Sequence, residues 1–471
     1  MLNPTRRDVL NFGAHGLAAT AVWSLLARDA AAETKAGAAT IPAKAKRAIQ
    51  ICLVGGLSHI DSFDHKPELA RHHGEPLASE TKPDVFFNQV GRLRKPDWEF
   101  RQRGESGLWV SDLFPGIASQ ADRLTVVRSM VADSANHTPA LFVLNSGFQF
   151  NGFPAMGSWL SYGLGCETDD LPAFVVLPDG RGEANGAASN WTSGFLPAEH
   201  QGVVFRGGKT PVRDLFPERA IPSEAEAAAR QLLASLNNQY TDRSGGGAEL
   251  TARIRSYELA ARMQLAVPEV TALDGEPGHI HELYGLGDPA TEDCGRRCLL
   301  ARRLIEQGVR FVQIYSGGPI AGSPRTSWDA HENVVENHSA EAKRIDKPIA
   351  GLLADLAQRG LLEDTLVLFT TEFGRTPFTQ SAADQVGTGR DHNKYGFSCW
   401  MAGAGLKPGF AYGSTDEIGW KAAENPVPWH DFHATVLHLF GINHEQLSYY
   451  HNGIRRRLTN VHGEVLHGLL A

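Results

Sequence analysis

The chain has little of what several common functions require. Cysteine is scarce: the five residues are an odd number without metal-finger spacing, so neither a disulfide framework nor a zinc-finger fold is expected. Basic charge is not in excess. With a formal net charge of -8 and a pI near 6.2, the chain lacks the concentrated Lys and Arg that a phosphate-backbone surface needs, so no nucleic-acid partner is expected. The short run Arg455-Arg456-Arg457 is the local exception and reads as solvated surface. Past the first thirty or so residues no apolar run is long enough to cross a bilayer, so no stable membrane span is expected. Internal repeats, long low-complexity tracts and Pro/Ser-rich linkers are also missing, which favours one domain with insertions over a string of modules.

What is present begins with TRRDVLNFG, where Arg6 and Arg7 precede a weakly apolar segment that runs to about Ala27 and ends in Ala30-Ala31-Ala32. Asn11, His15 and Ser24 make this segment too polar, and its length too short, for a permanent anchor. Residues 1–32 therefore read as a twin-arginine signal peptide with an A-x-A cleavage site. The expectation is export of a folded chain by the twin-arginine translocase, with any metal already bound, to a periplasmic or secreted location.

The full chain is 42% hydrophobic, an ordinary globular value, and the rest, 33–471, reads as the folded part. Apolar runs at 47–54, 123–131, 173–178, 309–315, 365–371 and 397–403 alternate with amphipathic helical segments. One of these opens with Ser223 and Glu226 in capping-box spacing, and the Gly-rich stretch 243–250 divides two helices of an insertion around 222–290. Such alternation predicts an α/β fold, a three-layer sandwich with a mostly parallel central sheet. Ligands of open α/β sheets bind where strands end in their carboxyl termini, so the residues that follow each strand are the candidates.

Those residues are rich in acids and imidazoles. Gly55-Gly56 after the first strand leads to His59, Asp61, Asp64 and His65; His137 and Thr138 stand ahead of a proline-started helix whose N-terminus favours an anion. Asp329 and His331 follow the fourth run, Glu372 ends the fifth, and Asp391 with His392 precedes the sixth. Singly, each is an ordinary turn or cap residue. Gathered at one sheet edge, Asp, Glu and His suit a divalent metal: zinc first, with manganese, magnesium or calcium as alternatives. Two such ions activate a nucleophile and neutralise a phosphate or sulfate in transit. A carboxylate at the end of a buried strand needs a cation to receive it, and for Glu372 that is a metal or, failing that, Arg375 or Arg390. Of the remaining histidines, His438 among leucines reads as a core residue, His433 as one able to reach the strand edge, and His200 and His462 as turn residues. Cys294 and Cys298, four apart on a helix, place one thiol toward the core.

The segments SHIDSFDHKP, ANHTPALFVLNSG, WDAHENV, TEFGRTP, GRDHN and DFHATVLHLFG resemble the bacterial family of domain of unknown function 1501, which is itself similar to the alkaline phosphatase and sulfatase superfamily. The resemblance covers nearly all of the mature chain. It implies metal-dependent hydrolysis of phosphate or sulfate esters on small molecules or polysaccharides. It sets Glu372 at a metal-binding acid, with Phe373 where a His or Asn ligand would stand, and His137, followed by Thr138, at the nucleophile. Asp329 with His331 resembles the phosphatases' D-x-x-x-H pair, shorter by two, and His392 resembles the late histidine ligand. His59 and Asp61 come later than the superfamily's first-strand acid. The expected set is thus catalytic His137 and Thr138, with metal ligands His59, Asp61, Asp329, His331, Glu372, Asp391 and His392. A catalytically silent relative that binds a ligand or keeps a metal for structure is the alternative, favoured by His137 and Phe373.

Overall fold

The runs read as strands are apolar on both faces, and each becomes a buried strand of a single sheet. The computed structural model describes residues 41–79, 82–207, 211–213, 215–216, 221–244, 247–320 and 326–471. Arg6, Arg7 and the expected cleavage site lie outside them. The strands are β1 (Arg47–Leu53), β2 (Leu124–Val131), β3 (Phe174–Leu177), β4 (Val203–Val204), β5 (Phe311–Ser316), β6 (Thr365–Thr371), β7 (Phe397–Ala402), β8 (Phe410–Tyr412) and β9 (Val427–Pro428). Their order is β8-β2-β7-β6-β1-β5-β3-β4, with β9 also paired to β2. β1 runs parallel to both neighbours, with Leu53 level with Ser316 on one side and Thr371 on the other. β7 runs against both β2 and β6. The sheet is otherwise parallel, and the α/β architecture is the one expected.

Helices cover both faces. Those of nine or more residues are α1 (His137–Ser146), α2 (Met156–Leu164), α3 (Ser223–Ser244), α4 (Ala248–Thr271), α5 (Glu292–Glu306), α6 (Val334–Gln358) and α7 (Trp429–Leu439), of which α3 buries no described side chain. The two-residue period of β1 sends Ile49, Ile51 and Leu53 into a core shared with Leu299 of α5 and Leu352 of α6. Ala48 and Cys52 point the other way, into a core with Leu141 of α1, Trp159 of α2 and Phe432 of α7. Both Cys294 and Cys298 are buried, not one alone, with their sulfurs 3.9 Å apart and unbridged. The core histidine of α7 is His433, fully buried and 2.8 Å from the Leu144 carbonyl through Nε2. His438, expected there, is half-exposed and packs against His467.

Two details of the sheet edge prepare the site. Gly55 and Gly56 turn the chain out of β1 with φ of 119° and 83°. A Cβ on Gly55 would lie 2.4 Å from the Asp329 backbone nitrogen, so only glycine lets the loop after β5 close over the end of β1. Beyond β6, Gly374–Thr379 pairs with Arg390–Asn393 as an antiparallel ribbon that sets His392 level with Arg375.

Candidate metal centre

Four chain segments deliver side chains to one point. The Trp328 N–H donates to the Val54 carbonyl (2.8 Å), which seats Asp329 and His331 above β1. His137 opens α1 after β2, and Glu372 leaves β6 directly. His392 precedes its strand rather than following it. It still reaches the carboxyl edge because β7 is antiparallel, so the start of β7 lies where the other strands end.

His137, Asp329, His331 and His392 each present one ligand atom within 4.8 Å of the others, and all four are buried. Asp329 Oδ1 is the common point: His331 Nε2 lies 2.7 Å from it, His392 Nε2 3.2 Å and His137 Nε2 3.4 Å. The far nitrogens of all three rings are occupied. Nδ1 of His137 donates to Glu372 Oε1 (2.8 Å), Nδ1 of His331 to Gln380 Oε1 (2.5 Å) and Nδ1 of His392 to the Ala135 carbonyl (2.6 Å). Carboxylate and carbonyl oxygens only accept, so each ring carries its proton on Nδ1 and turns the Nε2 lone pair toward Asp329. Three lone pairs then face a carboxylate, a convergence of acceptors that calls for a cation. His137 Nε2 is buried with no hydrogen-bond partner.

Burial pushes the His331 pKa down and holds that of His392 well below the ordinary value, which keeps both imidazoles neutral. For His137 burial also acts downward, but the Asp329 and Glu372 carboxylates on either side of the ring outweigh it and raise the pKa. Burial would raise the Asp329 pKa. The Arg375 charge reverses this and keeps the carboxylate ionised far below the usual range.

Arg375 is completely buried and bonds Asp329 Oδ1 at 2.8 Å. Its other contacts are to backbone carbonyls: Gly56 at 2.9 Å, Arg390 at 3.1 Å, Trp328 at 3.4 Å, and Gly55. It is committed to the protein rather than to a ligand. Glu372 sits one hydrogen bond behind the group, its Oε1 accepting from the Gly55 N–H (2.8 Å) as well as from His137. Neither arginine named as its alternative partner pairs with it among the contacts of the described residues, since Arg375 bonds Asp329 and Arg390 bonds Asp61.

The other candidate residues go elsewhere. Asp61 is fully buried against Arg390 Nε (2.9 Å) and accepts from Ser58 Oγ (2.5 Å) and the Asp97 N–H (3.0 Å), a lock between the turn after β1 and the ribbon. His59 Nε2 lies 2.8 Å from the Gly419 carbonyl, and its ring packs against Gly374. Asp391 accepts the Phe87 N–H at 2.9 Å, and burial raises its pKa. Thr138 follows His137 in the first turn of α1, half-buried.

Aromatic rings wall the group, and of these sequence reasoning singled out only Phe373, as the residue standing where a His or Asn ligand would be. Phe373 is buried with its ring 4.9 Å from that of His137 and 4.4 Å from that of His392. Phe86 and Phe87, 44% and 46% exposed, place their rings 4.9 Å from His392 and 4.7 Å from His331. Two adjacent aromatics in the polar stretch TKPDVFFNQ are the one sequence signal for the rest of this wall. Gln380 had none.

Fold and site define an α/β protein with a buried three-histidine, one-aspartate group at the carboxyl edge of a mostly parallel sheet. The family described as "Protein of unknown function (DUF1501)" matches residues 45–470, and the chain belongs to it. No curated protein sequence matches the chain. Among solved structures it is similar to the PsFucS1 sulfatase from Pseudoalteromonas sp., at 15% identity over 85% of this chain and 68% of that one, with a TM-score of 0.36. The lipoteichoic acid synthase LtaP from Listeria monocytogenes is 8% identical over 89% of this chain and 79% of its own, at TM-score 0.36. The alkaline phosphatase from the Antarctic bacterium TAB5 is 11% identical over 80% of this chain and 96% of its own, at TM-score 0.35. Likeness at these scores says nothing of substrate.

Proposed function

We propose that this protein is an exported, metal-dependent hydrolase of phosphate or sulfate esters. One observation carries the reading: three imidazoles, each held through Nδ1 by an oxygen acceptor, converge through Nε2 on a buried, ionised aspartate. Outer acceptors on the far nitrogen are the usual arrangement behind metal-binding histidines. His137, Asp329, His331 and His392 would hold one ion, and three nitrogens with one oxygen suit zinc better than magnesium or calcium, which take mostly oxygen. A divalent ion there supplies Lewis acidity, polarising a phosphoryl or sulfuryl oxygen and activating water.

The chain's own part is positional. Glu372 orients His137, Arg375 keeps Asp329 ionised, and Phe373 with Phe86 and Phe87 limits the water around the group. No hydroxyl or thiol belongs to the four converging residues, so water is the nucleophile: its oxygen joins phosphorus or sulfur as the ester bond breaks and the alcohol departs. Export rests on Arg6 and Arg7, and no helix among the described residues is long and apolar enough to cross a membrane. The test is elemental analysis of protein purified without added metal, then a panel of phosphate and sulfate esters with and without chelator. About one zinc per chain and a chelator-sensitive activity are expected. Bound metal with no ester turned over would favour the silent relative, and metal-free protein would overturn the hydrolase reading.

A further inference from the structure

A cavity of about 890 Å³ opens at the carboxyl ends of β3 and β4, and it shares no lining residue with the metal group. That volume is typical of small-molecule sites, which run from about 300 to 1,000 Å³. Leu177 closes β3 and Phe205 follows β4, and the parallel pairing of the two strands holds their ends level. The start of α5, from Glu292 to Leu300, forms the opposite wall. Ligands of open α/β sheets bind at this edge, and β5 alone separates β3 from β1, above which Asp329 sits. Asp179, in the cavity wall, accepts the Gly317 N–H at 2.8 Å, so one end of the loop after β5 is fixed to the cavity and the other to the metal group.

We infer that this cavity binds an uncharged saccharide. The chemistry of its lining selects that class. Leu177, Phe205 and Leu300 give it an apolar side, while four acids stand with three arginines around it, so neither sign predominates. The charges come in adjacent pairs: Arg206 Nη2 lies 3.0 Å from Glu183, and Arg297 Nη2 lies 2.6 Å from Asp293. An anion would be drawn to the N-terminus of α5, but Glu292 and Asp293 in its first turn repel it. A cation would face that same positive helix end together with Arg296. A wholly apolar molecule would strip water from the ion pairs and return no hydrogen bond. Hydroxyl groups answer each pair at once, donating to the carboxylate and accepting from the guanidinium beside it. The C–H face of a sugar ring then covers the apolar side.

Gly207 lines the cavity, and a Cβ there meets no heavy atom within 4 Å, so Gly207→Trp can occupy the space without disturbing the fold. Gly278, outside the cavity, is equally open and serves as the control. The test applies the full chain, with and without chelator, to an array of neutral, carboxylated and sulfated oligosaccharides. Wild type should bind neutral oligosaccharides equally in both conditions. Gly207→Trp should lose roughly 10-fold or more in affinity at an unchanged thermal midpoint, and Gly278→Trp should bind like wild type. Glu183→Gln with Glu292→Gln leaves the arginines in excess and should extend binding to sulfated oligosaccharides. A wild type that binds no neutral oligosaccharide, full binding by Gly207→Trp, or a double variant that still excludes sulfated ones overturns the proposal. Binding lost with chelator overturns it too, since the sugar would then sit at the metal, and leaves the hydrolase reading intact. Binding kept by a chain that carries no metal supports the cavity and counts against the hydrolase instead.

Discussion

Glu372 touches His137 by its far nitrogen, and this indirect position sets what its replacement does. Glu372→Gln keeps the volume and an oxygen for the Gly55 N–H, so the fold should survive. Metal affinity should fall roughly 10- to 100-fold, as for other acceptors behind metal-binding histidines. Competition with a zinc chelator and a thermal melt on the same variant check both halves; full zinc affinity with a large loss of stability would remove the relay. Arg375→Met should do the opposite. It strands Asp329 and several carbonyls without their cation, at a cost of about 3 to 5 kcal/mol in urea unfolding of metal-free protein. Buried neutral histidines add a pH dependence whose sign can be worked out. His338 and His433 are pushed by burial from 6.5 to about 3. The unfolded chain therefore takes up their protons first, so stability is full above pH 6.5 and falls as the pH drops toward 3. At pH 5 the loss is on the order of 2 kcal/mol for each, read from urea curves at pH 7 and pH 5; greater stability at pH 5 would contradict it. At this scale the sequence was only half legible. Asp329, His331 and His392 were recognised as ligand candidates, but so were His59, Asp61 and Asp391, while His137, which converges with the first three, was read as the nucleophile; an acid or imidazole after a turn looks the same whichever partner it meets. The fate of Asp61 is decided by Arg390, 329 residues further along.

Elements were easier to read than residues. Strands buried on both faces are apolar at most positions, so β1, β2, β3, β5, β6 and β7 stand out as near-continuous runs, interrupted by buried polar residues such as Gln50 and Gln313. The short edge strands β4, β8 and β9 are two or three residues long and carry no such signal. Direction was hidden as well: nothing local marks β7 as the strand that runs backward, yet that reversal brings His392 to the other ligand candidates. The turn after β1 gives an element-scale prediction. Gly55→Ala sets a Cβ 2.4 Å from the backbone nitrogen of Asp329, which no rotamer relieves, so the loop after β5 must lift and zinc binding should be lost with it. Gly74 also has positive φ, at 84°, but open space around it, so Gly74→Ala should cost only about 1 kcal/mol of strain and keep the metal. Equal zinc affinity in the two variants, by titration, would mean that the loop is not held by that close approach.

For the molecule as a whole, the signal reading makes its own demand. Arg6→Lys with Arg7→Lys should leave the chain in the cytoplasm, seen by fractionation, and unaltered export would remove the twin-arginine expectation. The layout of the sheet bears on the same step through the order of synthesis. β1 is made first, yet its two neighbours are β5 and β6, so Ala48 waits for Phe311 and Arg47 for Thr365. Until roughly two thirds of the polypeptide has been made the central strand has neither neighbour, and its second arrives only at roughly four fifths; such late, non-local closure is slow and prone to aggregation. A nascent chain stopped ahead of Phe311 should therefore remain protease-sensitive throughout its strand regions, whereas one extended past β7 should acquire a resistant core. A route that accepts only a finished fold suits a polypeptide whose middle is assembled from its two ends.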